Sequence, residues 1–351
     1  MRIALVHDDL VQWGGAERVL VGLSKIFPDA PIYTSVYDEQ NKLLAEKLSG
    51  KKIITSFMQK IPGWKNIYKL LLPLYPIAFE QFDFTDFDLV ISNTTRFARC
   101  VTTKPHTKHI CYCHTPPRFL YGYGEEKRTG WYFNKLRDWD YIWSKRVDYW
   151  VAGSQNAGRR ITDIYRTKSK VIYPFVNLDS FAGIESFAGG YLLVISRLNK
   201  YKRVDLAIEV AKKRQIPLKI VGVGREMNNL QNQADHQVEF LGRVDEKLLK
   251  ILIAGCWALL VCGEEDFGLT PLEAQVLGKP VIALKKGGVL ETVIDGKSGY
   301  FFEEAIASSL SQALDKLEKY GYNQEIAKKN TEQFSFLNFK KNWLDLIRNA
   351  V

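Results

Sequence analysis

The sequence predicts an α/β chain of two doubly wound parallel-sheet domains, and three observations carry that expectation. Apolar strand-like runs alternate with segments of helical periodicity along nearly the whole chain, as parallel strands joined by right-handed crossovers require. The pattern restarts near residue 191, where Tyr191–Ser196 repeats the character of the opening strand Arg2–His7. At 351 residues the chain is longer than one hydrophobic core comfortably serves, so two cores are the natural division.

The first half opens with strand Arg2–His7, a loop carrying Gly14-Gly15, and a helix from about Ala16 to Ile26. Strands are then expected at Ile32–Val36, Leu89–Ser92, Lys108–Cys113, Tyr149–Ala152 and Lys170–Tyr173, and Pro174–Asp179 reads as a linker. The second half runs through strand Tyr191–Ser196, the basic loop Arg197–Lys202 and the helix Val204–Arg214. Further strands are expected at Leu218–Val221, Gln237–Leu241, Trp257–Val261, Pro280–Ala283 and Gly299–Phe302. Between Phe334 and Ile347, the spacing of Phe336, Phe339, Trp343 and Leu346 predicts a helix with one packed face.

A hydrophobic fraction of 46% with 13% aromatics supplies two packed cores. Arg2 leads straight into a strand and then into Asp8 and Asp9, unlike a secretory leader, and apolar runs fall short of the ~20 residues that span a bilayer. A soluble, cytoplasmic protein is the expectation. Five cysteines without a CxxC pair suit reduced thiols. Cys111-x-Cys113-His114 lies in a strand pattern without a second ligand pair at zinc spacing, which argues against a metal there.

The net charge of +10 and pI of about 9.1 call for anionic partners. From Lys47 to Phe79 there are six lysines and no acid, among Met58, Ile61, Trp64, Ile67, Tyr68 and the run Leu70–Tyr75. From Lys127 to Trp150, Arg128, Lys135, Arg137, Lys145 and Arg146 interleave with Trp131, Tyr132, Phe133, Trp139, Tyr141 and Trp143. Cations mixed with aromatics suit an anionic membrane surface or single-stranded nucleic acid. A solvated helix face over an ordinary core accounts equally for the second segment.

The most informative run is Glu265-Asp-Phe-Gly-Leu-Thr-Pro-Leu-Glu273, between the strand Trp257–Val261 and a helix expected to open at Pro271 with Thr270 as N-cap. Gly268 lets the backbone approach a ligand, and the N–H groups of the helix start invite a phosphate. Two flanking carboxylates, Glu265 and Glu273, suit a sugar phosphate. Thr270-x-x-Glu273 is also a capping box, and this segment alone leaves the two readings open. Ligands of open parallel sheets bind at the carboxyl ends of the strands. Two facing sheets would therefore leave one cleft, with Gly14-Gly15 on one side and Arg197, Lys202 and the Gly268 loop on the other. Gly222-x-Gly224 is an incomplete dinucleotide fingerprint, because Met227 stands where the third glycine belongs.

Read in order, Gly14-Gly-Ala-Glu-Arg18, His114-Thr-Pro-Pro117, Ser196-Arg-Leu-Asn-Lys-Tyr-Lys202, Gly222-Val-Gly-Arg225, Phe240-Leu-Gly-Arg243 and Glu265–Glu273 resemble retaining glycosyltransferases of the GT-B fold, family 4, in particular bacterial mannosyltransferase-like members. The resemblance covers nearly the whole chain. It implies a Rossmann-like acceptor domain over 1–176, a Rossmann-like nucleotide-sugar domain over 177–333, and a final helix over 334–351 that returns to the first domain. It also moves Glu273 from capping to function.

Carried over position by position, the resemblance implies that Arg197 and Lys202, with the N–H groups of Gly268, Leu269 and Thr270, bind the diphosphate of the donor. Glu273 would hold ribose hydroxyls, Glu265 would contact the donor sugar, and backbone groups around Arg243 and Val244 would frame the base. Gly14, Gly15, Gly222 and Gly224 complete the donor-binding set. His114 would touch the sugar near its reacting centre, although a lone strand-end histidine is more often structural. No residue is placed by motif as a covalent nucleophile, which fits front-face displacement with the leaving phosphate as base.

Asp86-x-Asp88 and Asp138-x-Asp140 match a metal-binding pattern, but Arg197 and Lys202 already supply the neutralising charge, so neither a metal nor a cofactor is expected. Asn199-Lys200-Tyr201 departs from the family's usual Pro-Glu neighbourhood without chemical consequence. The expected activity is transfer of a hexose, mannose from GDP-mannose, to a lipid-linked (polyprenyl-pyrophosphate) or growing glycan. The enzyme would be peripheral on the inner, anionic face of the cytoplasmic membrane. A UDP-sugar donor, an epimerase or hydrolase on the same scaffold, and a nucleic-acid-binding protein are the alternatives. The last leaves both glutamates unexplained, so no nucleic-acid partner is expected.

Overall fold

In the computed structural model, which describes residues 1–68, 70–123, 127–187 and 189–350, the chain divides into two compact units. Residues 1–173 with the chain from Phe339 onward form the first, and Pro174–Asn338 form the second.

The first unit holds seven described strands: β1 Ile3–His7, β2 Ile32–Thr34, β3 Ile53–Thr55, β4 Leu89–Thr94, β5 Lys108–Cys113, β6 Tyr149–Ala152 and β7 Lys170–Val171. They pair in parallel in the order β3-β2-β1-β4-β5-β6-β7. The second holds six described strands: β8 Leu192–Ile195, β9 Leu218–Val221, β10 Val238–Gly242, β11 Ala258–Val261, β12 Val281–Leu284 and β13 Gly299–Phe302. Their order is β10-β9-β8-β11-β12-β13, again parallel. Each order reverses at its opening strand, so each unit has a switch point, β1 beside β4 and β8 beside β11.

Helices cover both faces of these sheets, so central strands read as continuous apolar runs rather than alternating ones. Every residue of β4 is buried, including Ser92, Asn93 and Thr94 at its carboxyl end. The strand expectations hold with ends moved by one or two residues. β3 was absent from them, because its three half-buried residues follow Lys51-Lys52 at the sheet edge.

The final helix, Phe336–Ala350, buries Phe339, Trp343, Leu346 and Ile347, and Trp343 lies 5.9 Å from the Tyr112 ring of β5. From Phe339 onward it belongs to the first unit, and it has the one packed face that the apolar spacing predicts.

The lysine-rich stretch is more tied down than its composition implied. Lys51 Nζ donates to the carbonyls of Ser24 and Pro28 at 2.8 and 3.0 Å, closing the end of the Gly15–Ile26 helix, and Lys65 pairs with Asp38 at 2.6 Å. Met58, Trp64, Tyr75 and Phe79 belong to the core, whereas Leu70, Ile77, Lys52 and Lys60 stand exposed. Lys69 lies outside the described residues. In the second basic segment, the helix Trp131–Trp143 turns Leu136, Asp140 and Trp143 inward and leaves Trp131, Trp139 and Ile142 on its outer face.

Both Asp-x-Asp pairs serve the fold. Asp88 accepts the Arg2 N–H at 2.6 Å. Asp140 is buried in an ion pair with Arg99 and accepts from Tyr121 and Tyr165 at 2.8 and 2.9 Å. All five cysteines are buried thiols, and burial pushes Cys111 up to about 12. Among the described residues no cluster of His, Cys, Asp and Glu is placed to hold a metal, and no helix is long and apolar enough to cross a membrane.

Candidate functional site

The second unit's switch point carries the motif residues. A recess there is lined by Val194, Ile195 and Ser196 from the end of β8, by Leu259–Gly263 from β11, and by Lys202, Glu265, Thr270 and Pro271. Lys202 Nζ donates to Glu265 Oε1 as a partly buried ion pair, and the ammonium sits 5.0 Å from the Tyr201 ring. The expected diphosphate cation and the expected sugar-binding carboxylate are thus joined to each other. Arg197 stands exposed at the loop after β8, and Glu273 is buried on the helix Leu269–Val276.

That helix begins two residues earlier than expected. Gly268 is its N-cap at φ +96°, a left-handed conformation that glycine adopts at little cost. Helical geometry resumes at once at Leu269, so Thr270 and Pro271 lie inside the first turn rather than at the cap and first position. The capping box falls with this correction, because the N-cap is Gly268 and not Thr270. Leu269 and Thr270 carry first-turn N–H groups, which have no intrahelical acceptor, while Pro271 has none to satisfy.

Glycines set the backbone around this recess. A Cβ on Gly222 would lie 1.9 Å from the Ser196 carbonyl oxygen, and one on Gly224 2.2 Å from that of Leu198. These two glycines let the β9 loop press against the Ser196–Leu198 loop that bears Arg197. Their contact is with backbone, which gives them a packing reason beside the expected donor contact. Gly263, which the sequence reading passed over, does the same for Lys202: its Cβ would meet the Tyr201 carbonyl oxygen at 2.3 Å. Gly287 and Gly288 back the Glu265 loop, and the Gly288 N–H donates to the Glu265 carbonyl at 2.7 Å. Phe267 packs on Phe334 at 5.5 Å and anchors the same loop. Arg243 is exposed and Val244 half-buried just after a bulge at the end of β10, where Gly242 is left-handed at φ +62°.

In the first unit, the switch point holds a polar chain of which only one member was expected. His114 Nε2 lies 2.7 Å from Asn93 Oδ1, and Asn93 Nδ2 donates to the Ala16 carbonyl at 2.8 Å. His7 Nδ1 is 3.0 Å from both the Asn93 carbonyl oxygen and Asn93 Nδ2, and His7 Nε2 is 3.5 Å from Glu17 Oε1. His7, Glu17 and Asn93 are buried. Burial alone would depress His7, but the Glu17 carboxylate overrides it and raises the imidazole above its ordinary value. Gly14 is the N-cap of the Gly15–Ile26 helix, and a Cβ there would stand 3.1 Å from Glu17 Oε2. The first glycine of the pair therefore gives Glu17 its room.

Beside this chain, Asp8 accepts from the N–H groups of Thr95, Arg96, Phe97 and Ala98 at 2.7 to 3.0 Å and fixes the loop after β4. Burial opposes its charge, but Arg96 and these donors hold it below the usual range. Asp9 is raised, chiefly by burial, despite its ion pair with Arg96. Adjacent strand-end polar residues in the opening strand were the available signal for this cluster; their buried partners lie some eighty residues away in sequence and left none.

Residues 13–180 match the profile of Glycosyltransferase Family 4, and residues 188–334 that of Glycosyl transferases group 1. The alpha-1,3/1,6-mannosyltransferase ALG2 of Dictyostelium discoideum is 24% identical, over 99% of this chain and 98% of that protein. ALG2 of Kluyveromyces lactis is 26% identical, over 84% of this chain and 71% of that protein. Among solved structures, Anabaena Alr3699/HepE in complex with UDP and glucose superposes with a TM-score of 0.74 at 17% identity, over 99% and 100% of the two chains. Sucrose-phosphate synthase from Thermosynechococcus elongatus does so with a TM-score of 0.75 at 15% identity, over 99% of each chain.

Proposed function

Because this chain belongs to the family 4 glycosyltransferases of the GT-B fold, its reaction is the transfer of a sugar, and we propose that the sugar is mannose, taken from GDP-mannose. The acceptor in this reading is a lipid-linked or growing surface glycan. The observation that carries a nucleotide-sugar site is the recess at the β8–β11 switch point, which gathers Lys202, Glu265 and the first turn after Gly268. The choice of mannose follows the mannosyltransferase relatives.

In the reaction, the bond from the anomeric carbon to the β-phosphate oxygen breaks as the acceptor hydroxyl oxygen bonds the same carbon on the same face. The acceptor's proton passes to the departing diphosphate. Arg197, Lys202 and the N–H groups of Leu269 and Thr270 stabilise the growing negative charge, Glu273 holds the ribose, and Glu265 supports positive charge at the anomeric carbon. No protein nucleophile takes part, and attack on the face that the diphosphate leaves retains the configuration. No metal is required, since the cations are supplied by side chains.

Docking on an anionic inner membrane face is part of the same reading. It rests on the exposed Lys52, Lys60, Leu70 and Ile77 of one lysine-rich stretch, each cation contributing about 1 kcal/mol near such a surface. Flotation with anionic liposomes tests it, and unchanged binding of Lys52→Gln/Lys60→Gln would exclude this surface.

Thermal stabilisation against a nucleotide panel tests the donor. A ligand at 100 times its Kd adds about 2.7 kcal/mol, so GDP is expected to raise the Tm and UDP is not. A shift with UDP alone would replace GDP-mannose by a UDP-sugar. Complete donor consumption without acceptor would instead favour a hydrolase or epimerase.

A further inference from the structure

Of the polar chain at the first unit's switch point, His114 alone has a role in the reading of the sequence. The chain starts at Glu17 in the first turn of the Gly15–Ile26 helix, passes through His7 at the end of β1 and Asn93 near the end of β4, and reaches His114 just after β5. These four positions are adjacent only because β1, β4 and β5 are neighbours in the sheet.

The hydrogen bonds decide the orientation of each group. The Ala16 carbonyl can only accept, so the Asn93 atom 2.8 Å from it is the amide nitrogen. The Asn93 oxygen then faces His114 Nε2 at 2.7 Å, and that nitrogen must carry a proton. When the ring is neutral, its lone pair is therefore on Nδ1. Whichever nitrogen of His7 holds its proton, the Ala16 carbonyl settles the Asn93 amide and hence the His114 tautomer. His7 in turn bridges the Asn93 backbone carbonyl, at 3.0 Å, and the Glu17 carboxylate, at 3.5 Å. It ties the end of β4 to the same helix turn that Gly14 and Gly15 open.

A polar chain of this kind, buried and satisfied, is costly to assemble for stability alone, since apolar residues of similar size would pack the same space. It does what packing cannot: it selects one tautomer and one ring orientation at the motif histidine.

We propose that Asn93, His7 and Glu17 are positioning residues for glycosyl transfer, holding His114 as the Nε2–H tautomer so that Nδ1 is the ring's acceptor toward a sugar hydroxyl. The inference rests on the reading of His114 as a residue that touches the reacting sugar. It also explains the first glycine of the Gly14-Gly15 pair: a side chain there would crowd Glu17 Oε2 at 3.1 Å and disturb the chain at its far end.

Two measurements on the whole protein test it. In the first, selective 15N-histidine labelling gives the tautomer of each of the five histidines, with His114→Gln assigning the signal. The Nε2–H form is expected at position 114 without any substrate, and an Nδ1–H form there overturns the proposal whatever the donor proves to be. In the second, Asn93→Ala is assayed with the nucleotide sugar that the wild type turns over. Misplacement of a reacting contact commonly costs on the order of 10² in rate, so kcat should fall by about that factor with the donor KM little changed. The tautomer bias should disappear with it. Unchanged kcat in a folded Asn93→Ala protein overturns the proposal. A silent His114→Gln overturns it together with the role of His114, and leaves glycosyl transfer itself standing. Should Asn93→Ala fail to fold, the wild-type tautomer still decides.

Discussion

Replacing Glu265 by Gln should have opposite effects on product binding and on turnover. Lys202 Nζ is held by Glu265 Oε1, with the two side chains 10% and 27% exposed. A nucleoside diphosphate that recruits Lys202 must first break that pair. Partly exposed ion pairs of this sort contribute at most about 1 kcal/mol, which at 25 °C is a factor of about five in Kd. Glu265→Gln removes the competing charge and leaves at most a neutral amide acceptor for the ammonium, so GDP, or UDP if that is the base accepted, should bind up to about fivefold tighter. Turnover should fall, because the carboxylate facing the sugar is lost. Lys202→Met is the control: losing a charge-assisted hydrogen bond of about 1.5–3 kcal/mol loosens Kd about 10- to 150-fold. Titration calorimetry at constant ionic strength reads both variants. Weaker or unchanged binding to Glu265→Gln, with Lys202→Met binding like wild type, would refute the assignment of Lys202 to the diphosphate.

Asp140→Asn should cost roughly 3–5 kcal/mol in urea denaturation, because it strands the fully buried Arg99, and Arg99→Met/Asp140→Leu should recover much of it. Gly222→Ala combines left-handed strain at φ +131° with overlap on the Ser196 carbonyl, so a loss of at least about 1–3 kcal/mol and a lower Tm are expected; an unchanged melting curve would contradict the described loop contact. Burial depresses His109 to about 4, so its neutral form is favoured in the folded state. Between the unfolded value near 6.5 and pH 4 the unfolded chain takes up a proton that the folded one does not, and stability falls by up to ~1.4 kcal/mol per pH unit. His7, with its raised value, acts in the other sense: its contribution is present below pH ~6.5 and fades as pH rises through its folded value. Urea titrations from pH 4 to 8 should therefore lose the acid limb in His109→Gln and gain stability at the alkaline end, relative to pH 6, in His7→Gln.

Both sheets were legible in the sequence because parallel strands covered on two faces must be apolar throughout, and runs such as Leu89–Ile91 and Leu259–Val261 have no other economical reading. The site in the second unit was legible because its residues cluster in short motifs along the chain. The start of the helix at Leu269 was misread because Thr270-Pro271 mimics a helix entry, and only the left-handed φ of Gly268 shows where the turn ends. The Lys202–Glu265 pair, 63 residues apart, and the His7–Asn93 contacts, 86 apart, depend on strand order, which local periodicity does not encode. For the same reason the 47–79 stretch reads in sequence as a basic surface, although Lys51 closes a helix end and Lys65 pairs with Asp38.

The last helix has a consequence for how the protein is made. The first seven strands emerge early, yet Tyr112 of β5 does not meet Trp343 until the last helix arrives, after every residue of the second unit. During synthesis the leading half must wait for that helix, while the trailing half is made without interruption. A fragment ending at Tyr173 should accordingly be sticky and prone to chaperone capture, and a peptide of residues 336–350 supplied separately should rescue it.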